Sequence, residues 1–153
     1  MLSVTDQPIN TGALLKAFEA EAPNSGGIVT FSGLARPEAA QGRVKSLFLQ
    51  AYTPMTENGI RDAMDTAKTR WPLEACTIVH REGEMVPGDT IVFVATASKH
   101  RRAAFEAADF LMDYLKTKAV FWKKETTDMG ETWIEPRPED YDDADRWTEQ
   151  ETA

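Results

Sequence analysis

The sequence predicts an α+β fold in which helices pack beside a mixed or antiparallel sheet. Two observations support this class: apolar residues recur at helical spacing in three segments, and shorter β-type segments lie between them. The β-type segments do not alternate regularly with the helices, and some follow one another directly, which disfavours a doubly wound parallel sheet. A chain of 153 residues, of which 42% are hydrophobic, is long enough to form one domain with an ordinary core.

Four elements are predicted in the N-terminal third of the chain. They are a helix over 11–21, a strand over 28–31, a loop over 34–43 and a second strand over 44–52. The helix places Leu14 and Phe18 on one face, and Pro23 with the glycines after it ends the helix. Pro37 and Gly42 indicate the loop, and the strand after the loop alternates between apolar and polar side chains.

The middle of the chain predicts a second helix followed by two strands. Pro54 opens the helix as a first helical residue, and Pro72 ends it. The strands lie at 77–80 and 90–97, with a turn rich in glycine and proline at 82–89 between them. The run TIVFVATA at 90–97 is almost entirely apolar, which indicates a central strand.

A long helix is predicted over 99–117, with Ser98 as its N-cap. Its predicted apolar stripe follows the spacing i, i+3, i+7 and i+10 and consists of Phe105, Ala108, Met112 and Leu115. Three short elements are predicted after this helix. They are an extended segment over 120–122, a turn over 128–131 and a strand over 133–134.

The chain is predicted to divide into one domain over 1–137 and an acidic C-terminal tail over 138–153. From Pro138 onward there are seven acidic residues and one basic residue, Arg146. A segment with this charge excess buries little apolar surface, so the tail is expected to be frayed and solvated.

Composition disfavours several classes of protein. The net charge of −8 argues against a general nucleic-acid binder, which needs a broad basic face. The N-terminal sequence MLSVTDQPIN lacks the basic and apolar regions of a signal peptide, and no apolar run approaches the length of a membrane span. We therefore expect a soluble cytoplasmic protein.

The single cysteine, Cys76, is predicted to be a buried apolar residue, because it lies in a strand and has no cationic neighbour in sequence. One cysteine cannot form an internal disulfide. No metal is expected, since the two histidines and the acids form no ligand motif. No cofactor is expected either, because a phosphate-binding glycine loop is missing from the sequence.

The positive charge of this acidic chain is concentrated in residues 98–125. Before Glu125 at its end, seven lysines and arginines together with His100 outnumber three acids, which predicts an anion-binding site. Lys116, Lys123 and Lys124 are the first candidates, since the apolar residues between them would partly dry the site and lower a lysine pKa toward the range used in proton transfer. The alternative is that these lysines are solvated and complement the helix dipole.

Three further basic residues are candidates for anion binding. His100 and Arg101 stand on the first turn of the predicted helix, where an anion would offset their unfavourable interaction with the helix dipole. The alternative is that they form a surface pair. Arg36 follows a glycine turn and is a candidate fork for phosphate or carboxylate. His80 and Arg81, by contrast, are interpreted as structural.

The predicted long helix separates two of these candidates. His100 and Lys116 are 16 residues apart in sequence, which is roughly 24 Å along a helix. A small substrate cannot contact both in one subunit. Either they belong to two sites or two subunits share one site, and we favour the second because symmetric dimers are the commonest assembly.

Several segments together resemble the large, catalytic subunit of molybdopterin synthase. They are, in order, GIVTFSGLAR, LQAYTPM, VHREGEMVPGD, ASKHRRAAFEAADFLMDYLKTKAVFWKKE and G-x-x-W-I-E-P-R. The resemblance covers about residues 26–137, most of the chain. Its most specific part is the run that carries Lys116 and Lys123.

The resemblance implies a fold, an activity and partners. The fold is of the α/β-hammerhead type, an α+β fold with flanking helices and a small added β part. The family converts a cyclic pyranopterin monophosphate into molybdopterin, a sulfurtransferase reaction of molybdenum cofactor biosynthesis. The sulfur arrives on the C-terminal thiocarboxylate of a small ubiquitin-like subunit whose Gly-Gly tail enters the large subunit. Two small subunits and a homodimer of large subunits form a heterotetramer.

The resemblance also implies roles for individual residues. Lys116 and Lys123 match the two essential lysines of the family. Substrate-contacting positions match Leu34, Ala35, Arg36, His100, Arg101, Lys124, Glu125 and Arg137. Val120 stands where a proline is common, Ala35 replaces a frequent valine, and Gln50 replaces a frequent glutamate. None of these departures removes an implied catalytic group, but the effects of Val120 and Gln50 stay open.

These implied roles lead to a mechanism with two alternatives. Arg36, His100 and Arg101 would bind the phosphate and pterin. Lys116 would stabilise the negative charge of acyl transfer and Lys123 would move a proton, although the sequence leaves the two roles interchangeable. One alternative is a non-catalytic module that binds a ubiquitin-like tail or a nucleotide-like anion. The other is a structural protein with a solvated basic helix.

Overall fold

The computed structural model describes residues 1–40 and 42–152, which form four helices and nine strands. The helices are α1 (Thr11–Glu21), α2 (Met55–Arg70), α3 (Arg101–Thr117) and α4 (Pro138–Thr152). The strands are β1 (Leu2–Thr5), β2 (Gly27–Leu34), β3 (Glu38–Ala39), β4 (Gly42–Ala51), β5 (Leu73–Arg81), β6 (Gly83–Met85), β7 (Thr90–Ser98), β8 (Phe121–Thr127) and β9 (Gly130–Trp133). Gln41 in the predicted loop and Ala153 in the predicted tail lie outside the described residues.

Four strands form the first sheet in the order β1-β5-β7-β2. β1 runs parallel to β5 and the other neighbours are antiparallel, so this sheet is mixed. In β7, Val92 and Val94 belong to a core shared with α2 and α3, while Phe93 and Ala95 pack in a second core with Phe18 of α1. Alternate residues of β7 are therefore buried on opposite faces of the sheet, which explains its apolar sequence and confirms its predicted central position.

The second sheet is built on β4, with the order β3-β4-β8-β9 and with β6 also paired to β4. All of these pairings are antiparallel. Leu47 and Leu49 of β4 form a small core with Met85 and Ala35, and Ile91 of β7 packs against it. Two sheets with flanking helices confirm the predicted α+β class.

The start of α3 differs from the prediction. Ser98 is the last residue of β7, and its hydroxyl donates to the Pro72 carbonyl oxygen at 2.8 Å. The N-cap position is His100, which makes no side-chain capping bond. The prediction of Ser98 as N-cap was wrong because a carbonyl from a distant part of the chain engages its hydroxyl.

The buried face of α3 is rotated relative to the predicted stripe. Its buried residues are Ala104, Ala107, Ala108 and Leu111. Met112 and Leu115 are partly buried as predicted, but Phe105 is 60% exposed. Small residues face the first sheet because α3 packs on β2 and β7, and apolar spacing does not distinguish a buried alanine from an exposed phenylalanine.

Three short strands were not predicted. β3 lies inside the predicted loop and β6 inside the predicted turn, while β1 precedes the first predicted element. Each exists by pairing with a longer strand, β1 with β5 and the other two with β4. A run this short shows no readable period, so only the tertiary pairing specifies it.

The C-terminal segment differs from the frayed tail that its composition predicts. Pro138–Thr152 forms α4, and Trp147 is buried against Trp71 and Phe110 with ring centroids 5.5 and 5.8 Å apart. The Trp147 indole nitrogen donates to the Asp113 carboxylate at 2.6 Å. One tryptophan in an acidic segment thus anchors the helix on α3. The domain boundary placed before this helix stays a prediction.

Candidate active site

A cavity opens where the C-terminal end of α3 meets both sheets. It consists of two adjoining hollows of about 280 Å³ and about 330 Å³. Seven residues predicted for the site line it, and they are Leu34, Ala35, Arg36, Lys116, Lys123, Glu125 and Arg137. The cavity has the size of a small-molecule site, and four of the seven side chains are cationic. The arrangement is suited to binding an anion.

Arg36 reaches the cavity from the turn after β2. The Ala35 amide donates to the Asp89 carbonyl oxygen at 2.9 Å, and the Gly88 amide donates to the Ala35 carbonyl oxygen at 2.8 Å. Gly88 has a φ of +94°, a conformation that favours glycine. These bonds tie the turn to the loop before β7, so the exposed Arg36 side chain projects from a fixed backbone.

The two lysines come from different elements. Lys116 lies in the last turn of α3, and Lys123 lies on β8 opposite Leu49 of β4. Because side chains alternate along a strand, Phe121, Lys123 and Glu125 share a face, and all three line the cavity. A helix end and a strand thereby hold two ammonium groups at one cavity.

The protonation of Lys123 is perturbed by this setting. Burial lowers the pKa of Lys123 below its ordinary value of 10.5, and the positive charges of Lys116 and Arg36 lower it further. The carboxylates of Glu125 and Asp140 oppose this change without cancelling it. Lys123 therefore releases its proton more readily than a solvated lysine, which suits it to proton transfer.

His80 forms part of the cavity wall. Its ring stacks on Phe121 with centroids 4.1 Å apart, and the residue is 7% exposed. Burial lowers the pKa of His80 to about 4, with smaller contributions from Lys116 and Lys123, although its hydrogen bond to the backbone of Arg81 opposes the change. The imidazole is thus neutral at pH 7, and its Nδ1–H donates to the Arg81 carbonyl oxygen at 2.9 Å. This packing is consistent with the structural role interpreted from the sequence.

Arg137 lies at the rim of the cavity, just before α4. Its guanidinium Nη2 donates to Oδ1 of Asp140 at 2.9 Å, and its backbone amide donates to Oδ2 at 3.0 Å. The side-chain hydrogen bond from Arg137 holds the pKa of Asp140 below its usual range, and the charge of Lys116 contributes in the same direction. The helix therefore begins with an ion pair at the cavity.

Three predicted site residues lie elsewhere in this chain. His100 and Arg101 are at the N-terminal end of α3, whereas Lys116 is in its last turn, roughly 24 Å away along the helix. Lys124 lies on the opposite face of β8 from the cavity, and its ammonium is 3.5 Å from the Glu131 carboxylate. A single chain thus gathers seven of the ten predicted residues and leaves these three outside the cavity.

Comparison with known proteins identifies the family. The model of the family described as MoaE protein matches residues 4–118. This chain belongs to the MoaE family. A relative from Caulobacter vibrioides, named molybdopterin synthase catalytic subunit, is 49% identical over 150 residues, which are 98% of this chain and 99% of the relative. The resemblance read from the sequence motifs is thereby confirmed.

Solved structures of the MoaE family share the fold. A molybdopterin biosynthesis MoaE protein from Burkholderia ambifaria superposes with a TM-score of 0.82 and 38% identity over 97% of each chain. A molybdopterin synthase from Staphylococcus aureus has a TM-score of 0.78 and 27% identity, covering 86% of this chain and 95% of that one. The two-sheet α+β architecture is therefore that of the family.

Cys76 lies in the main core of this MoaE-family chain. It is 3% exposed and packs among residues of α2, β7 and α3. Burial raises the pKa of its thiol to about 11, so the group is protonated at neutral pH. Cys76 is also not among the described residues that line the cavity. The geometry gives it no part in the chemistry.

Several cavity residues of this MoaE-family chain were not predicted from the sequence. They include Ile134, Glu135, Asp140 and Tyr141. Asp140 and Tyr141 were assigned to a solvated tail, and only the formation of α4 places them at the cavity. A signal was present, because Pro138 followed by acids in the first turn is typical of a helix start.

Proposed function

We propose that this chain is the catalytic subunit of a molybdopterin synthase, a sulfurtransferase of molybdenum cofactor biosynthesis. In this reaction a cyclic pyranopterin monophosphate becomes molybdopterin, and each of the two sulfurs is delivered by the C-terminal thiocarboxylate of one loaded small ubiquitin-like subunit. The observation that carries the proposal is that Lys116 and the partly buried Lys123 line one cavity, which Arg36 and Arg137 also line. Membership of the MoaE family supports the same reaction.

The cationic cavity supports binding of the pterin phosphate. The chain as a whole carries a net charge of −8 and repels anions at a distance, so an anionic substrate needs a local cluster of positive charge. Arg36 and Arg137 are exposed at the cavity and can form charge-assisted hydrogen bonds to phosphate. Lys116 and the half-buried Lys123 are then left to act at the reacting atoms.

The two lysines divide the chemistry between them. The thiocarboxylate sulfur is the nucleophile, and water later cleaves the bond between that sulfur and the carbonyl carbon of the small subunit. Lys116 stabilises the oxyanion that forms at this carbonyl. Lys123 moves the proton as the cyclic phosphate opens, because its lowered pKa favours release and recapture of a proton.

The small sulfur-carrier subunit is the partner that this mechanism requires. Its Gly-Gly tail would enter the cavity so that its terminal carbonyl meets Lys116. Both proteins would work in the cytoplasm. Within residues 1–40 and 42–152 no helix is long and apolar enough to cross a membrane.

A homodimer would complete the site. β2 is an edge strand of the first sheet, and a Cβ built on Gly27 at its start would lie 3.4 Å from the Cα of Arg101. Leu34 at its other end lines the cavity. The eight residues of β2 span roughly 27 Å, and the 17 residues of α3 span roughly 26 Å. The two elements are therefore about equally long, and the two ends of β2 lie near the two ends of α3.

Antiparallel pairing of β2 with β2 of a second copy exchanges these two ends. The start of β2 in one copy then lies beside the end of β2 in the other, and Arg101 and His100 of the second copy approach the first copy's cavity. The distance of roughly four helical turns that separates them from Lys116 within one chain is then no obstacle to a shared site. Two such shared sites, each with one small subunit, give the heterotetramer that the family resemblance implies.

Reconstitution with defined components tests the proposed activity. Native protein, a thiocarboxylated ubiquitin-like subunit and cyclic pyranopterin monophosphate are mixed, and the dithiolene product is measured. We expect product from the native protein, and a loss of at least about a hundredfold for Lys116→Ala with binding of the small subunit retained. Lys118→Ala is the matched control, because Lys118 is exposed two residues away and is not among the described cavity residues.

The outcomes separate the proposed enzyme from its alternatives. Tight binding of the small subunit without product would indicate a non-catalytic module that docks a ubiquitin-like tail. Equal activity of Lys116→Ala and Lys118→Ala would remove Lys116 from the chemistry.

A further inference from the structure

The first turn of α4 brings a carboxylate to a cavity whose other charged groups are mostly cationic. Asp140 lines this cavity together with Lys116, Lys123 and Arg137. The Asp140 side chain is 13% exposed, whereas the Arg137 side chain that it binds is 68% exposed. The acid is therefore the inner partner of the pair and the arginine is the outer one.

Asp140 holds Arg137 at three points. Oδ1 of Asp140 accepts from Nη2 at 2.9 Å, while Oδ2 accepts from the backbone amide at 3.0 Å and from Nε at 3.4 Å. The backbone bond fixes the carboxylate in place, and the two side-chain bonds then orient the guanidinium. A guanidinium has five N–H donors, so this grip leaves donors on Arg137 for an anion.

Arg137 needs these hydrogen bonds to stay at the cavity. Lys116, Lys123 and Arg36 line the same space, and their like charges repel a further cation. A long, exposed arginine side chain also loses conformational entropy when it is ordered. Asp140 offsets both effects, because it supplies the opposite charge and fixes the orientation before the substrate arrives.

We propose that Asp140 is a positioning residue, which holds the Arg137 guanidinium at the cavity rim so that its remaining N–H groups bind the substrate phosphate. This role rests on the proposed function and adds a residue to it. Asp140 lies beyond residues 4–118, which the family model matches.

Steady-state kinetics of the reconstituted enzyme test this role. We expect Asp140→Asn to raise KM for cyclic pyranopterin monophosphate about tenfold, while kcat changes by less than about threefold, because a phosphate contact is weakened and the reacting groups remain. Arg137→Ala should have a similar effect. The double variant should be no worse than Arg137→Ala alone, since Asp140 acts through Arg137.

Asp142→Asn is the matched control, because Asp142 is an exposed acid of the same helix and is not among the described cavity residues. Its KM should equal that of the native protein. An unchanged KM for Asp140→Asn overturns the proposal, and so does a double variant whose KM rises a further tenfold. If Asp140→Asn unfolds, Asp140→Glu keeps the charge and should fold with a KM within about threefold of native; a tenfold rise there also overturns the proposal.

Failure of the proposed function would look different. In that case the native protein makes no product and no KM is measured. Isothermal titration of the substrate into native protein and Asp140→Asn then still reports on the role of Asp140, because the weaker binding expected for the variant does not depend on turnover. Equal affinity for the two proteins would overturn the role of Asp140 on its own.

Discussion

At the scale of single residues, the chemistry of the cavity depends on which face of a strand a side chain occupies. Lys123 and Lys124 are neighbours in sequence, yet burial and nearby cations lower the pKa of the first. The second lies on the other face of β8, where it pairs with Glu131 and its ammonium is 5.7 Å from the centroid of the Trp133 ring. One residue step therefore separates a candidate proton carrier from a surface ion pair.

The buried thiol gives the first residue-level prediction. Cys76→Ala should leave turnover of the reconstituted enzyme within about twofold of native, because the thiocarboxylate supplies the sulfur nucleophile and a thiol with a raised pKa is inert. The lost sulfur atom should cost about 1 kcal/mol in the free energy of unfolding. Product formation and urea denaturation measure the two effects. A rate loss beyond about tenfold in a folded variant would contradict the assignment.

The sequence identified cavity residues unevenly, for physical reasons. Lys116 and Lys123 are marked by both the charge concentration and the family motifs, and Arg36 is marked by its place after a glycine turn and by the motifs. Asp140 is not marked in this way, since its place depends on α4, which docks through the buried Trp147 and through ion pairs of Arg146 with α3. Lys124 belongs to the same basic run and family motif as Lys123, and only the extension of β8 to Thr127 places the two lysines on opposite faces.

At the scale of elements, the contact between β5 and β8 joins the two sheets beside the cavity. His80 of β5 stacks on Phe121 of β8, and the imidazole is neutral because of its burial. Its pKa of about 4 in the folded protein lies below the ordinary value of 6.5. In the unfolded chain His80 therefore binds a proton over this interval that the folded protein does not bind.

Acidification should weaken this contact between β5 and β8 and so destabilise the protein. Because the unfolded state binds more protons between pH 6.5 and about 4, the free energy of unfolding falls as pH drops through that window and levels off below it. We expect native protein to lose about 2 kcal/mol more than His80→Gln between pH 7 and pH 5. Urea titrations at the two pH values measure the difference. His100→Gln is the matched control, because His100 is exposed. The free energy of unfolding of this variant should depend on pH as that of the native protein does.

The elements themselves were predictable where local pattern and tertiary packing agree. α1 has the predicted bounds, and α2 begins and ends beside its two prolines. Agreement fails where a distant group decides the outcome, as with the Pro72 carbonyl that engages Ser98. It fails again in α4, because the acidic composition predicts a solvated segment although Trp147 is buried.

At the scale of the whole molecule, the fold concentrates positive charge in an acidic protein. The turn after β2 contributes Arg36, the end of α3 contributes Lys116, and the second sheet contributes Lys123 from another direction. α4 then adds the carboxylate of Asp140, which orients the Arg137 guanidinium at the cavity rim. The length of α3 is the remaining constraint, because it keeps Arg101 at the far end from the cavity of its own chain. The shared-site dimer removes this constraint and leads to a test by complementation.

Mixed dimers should recover activity that neither parent variant has. Lys116→Ala and Arg101→Ala damage different chains of each shared site, so a mixed dimer holds one intact site and one doubly damaged site. Each variant alone should keep less than about a twentieth of native activity, and a random mixture should approach about a quarter. Product formation after coexpression measures the recovery.

The control pairs Lys116→Ala with Lys123→Ala. Both lysines line the cavity of the same chain, so every site in the mixed dimer lacks one of them and no activity should return. Recovery in the first pair but not in the second requires that Arg101 acts across the dimer, as pairing of the β2 edges predicts. If neither pair recovers while mixed dimers are present, Arg101 serves its own chain. The two ends of α3 would then belong to separate sites.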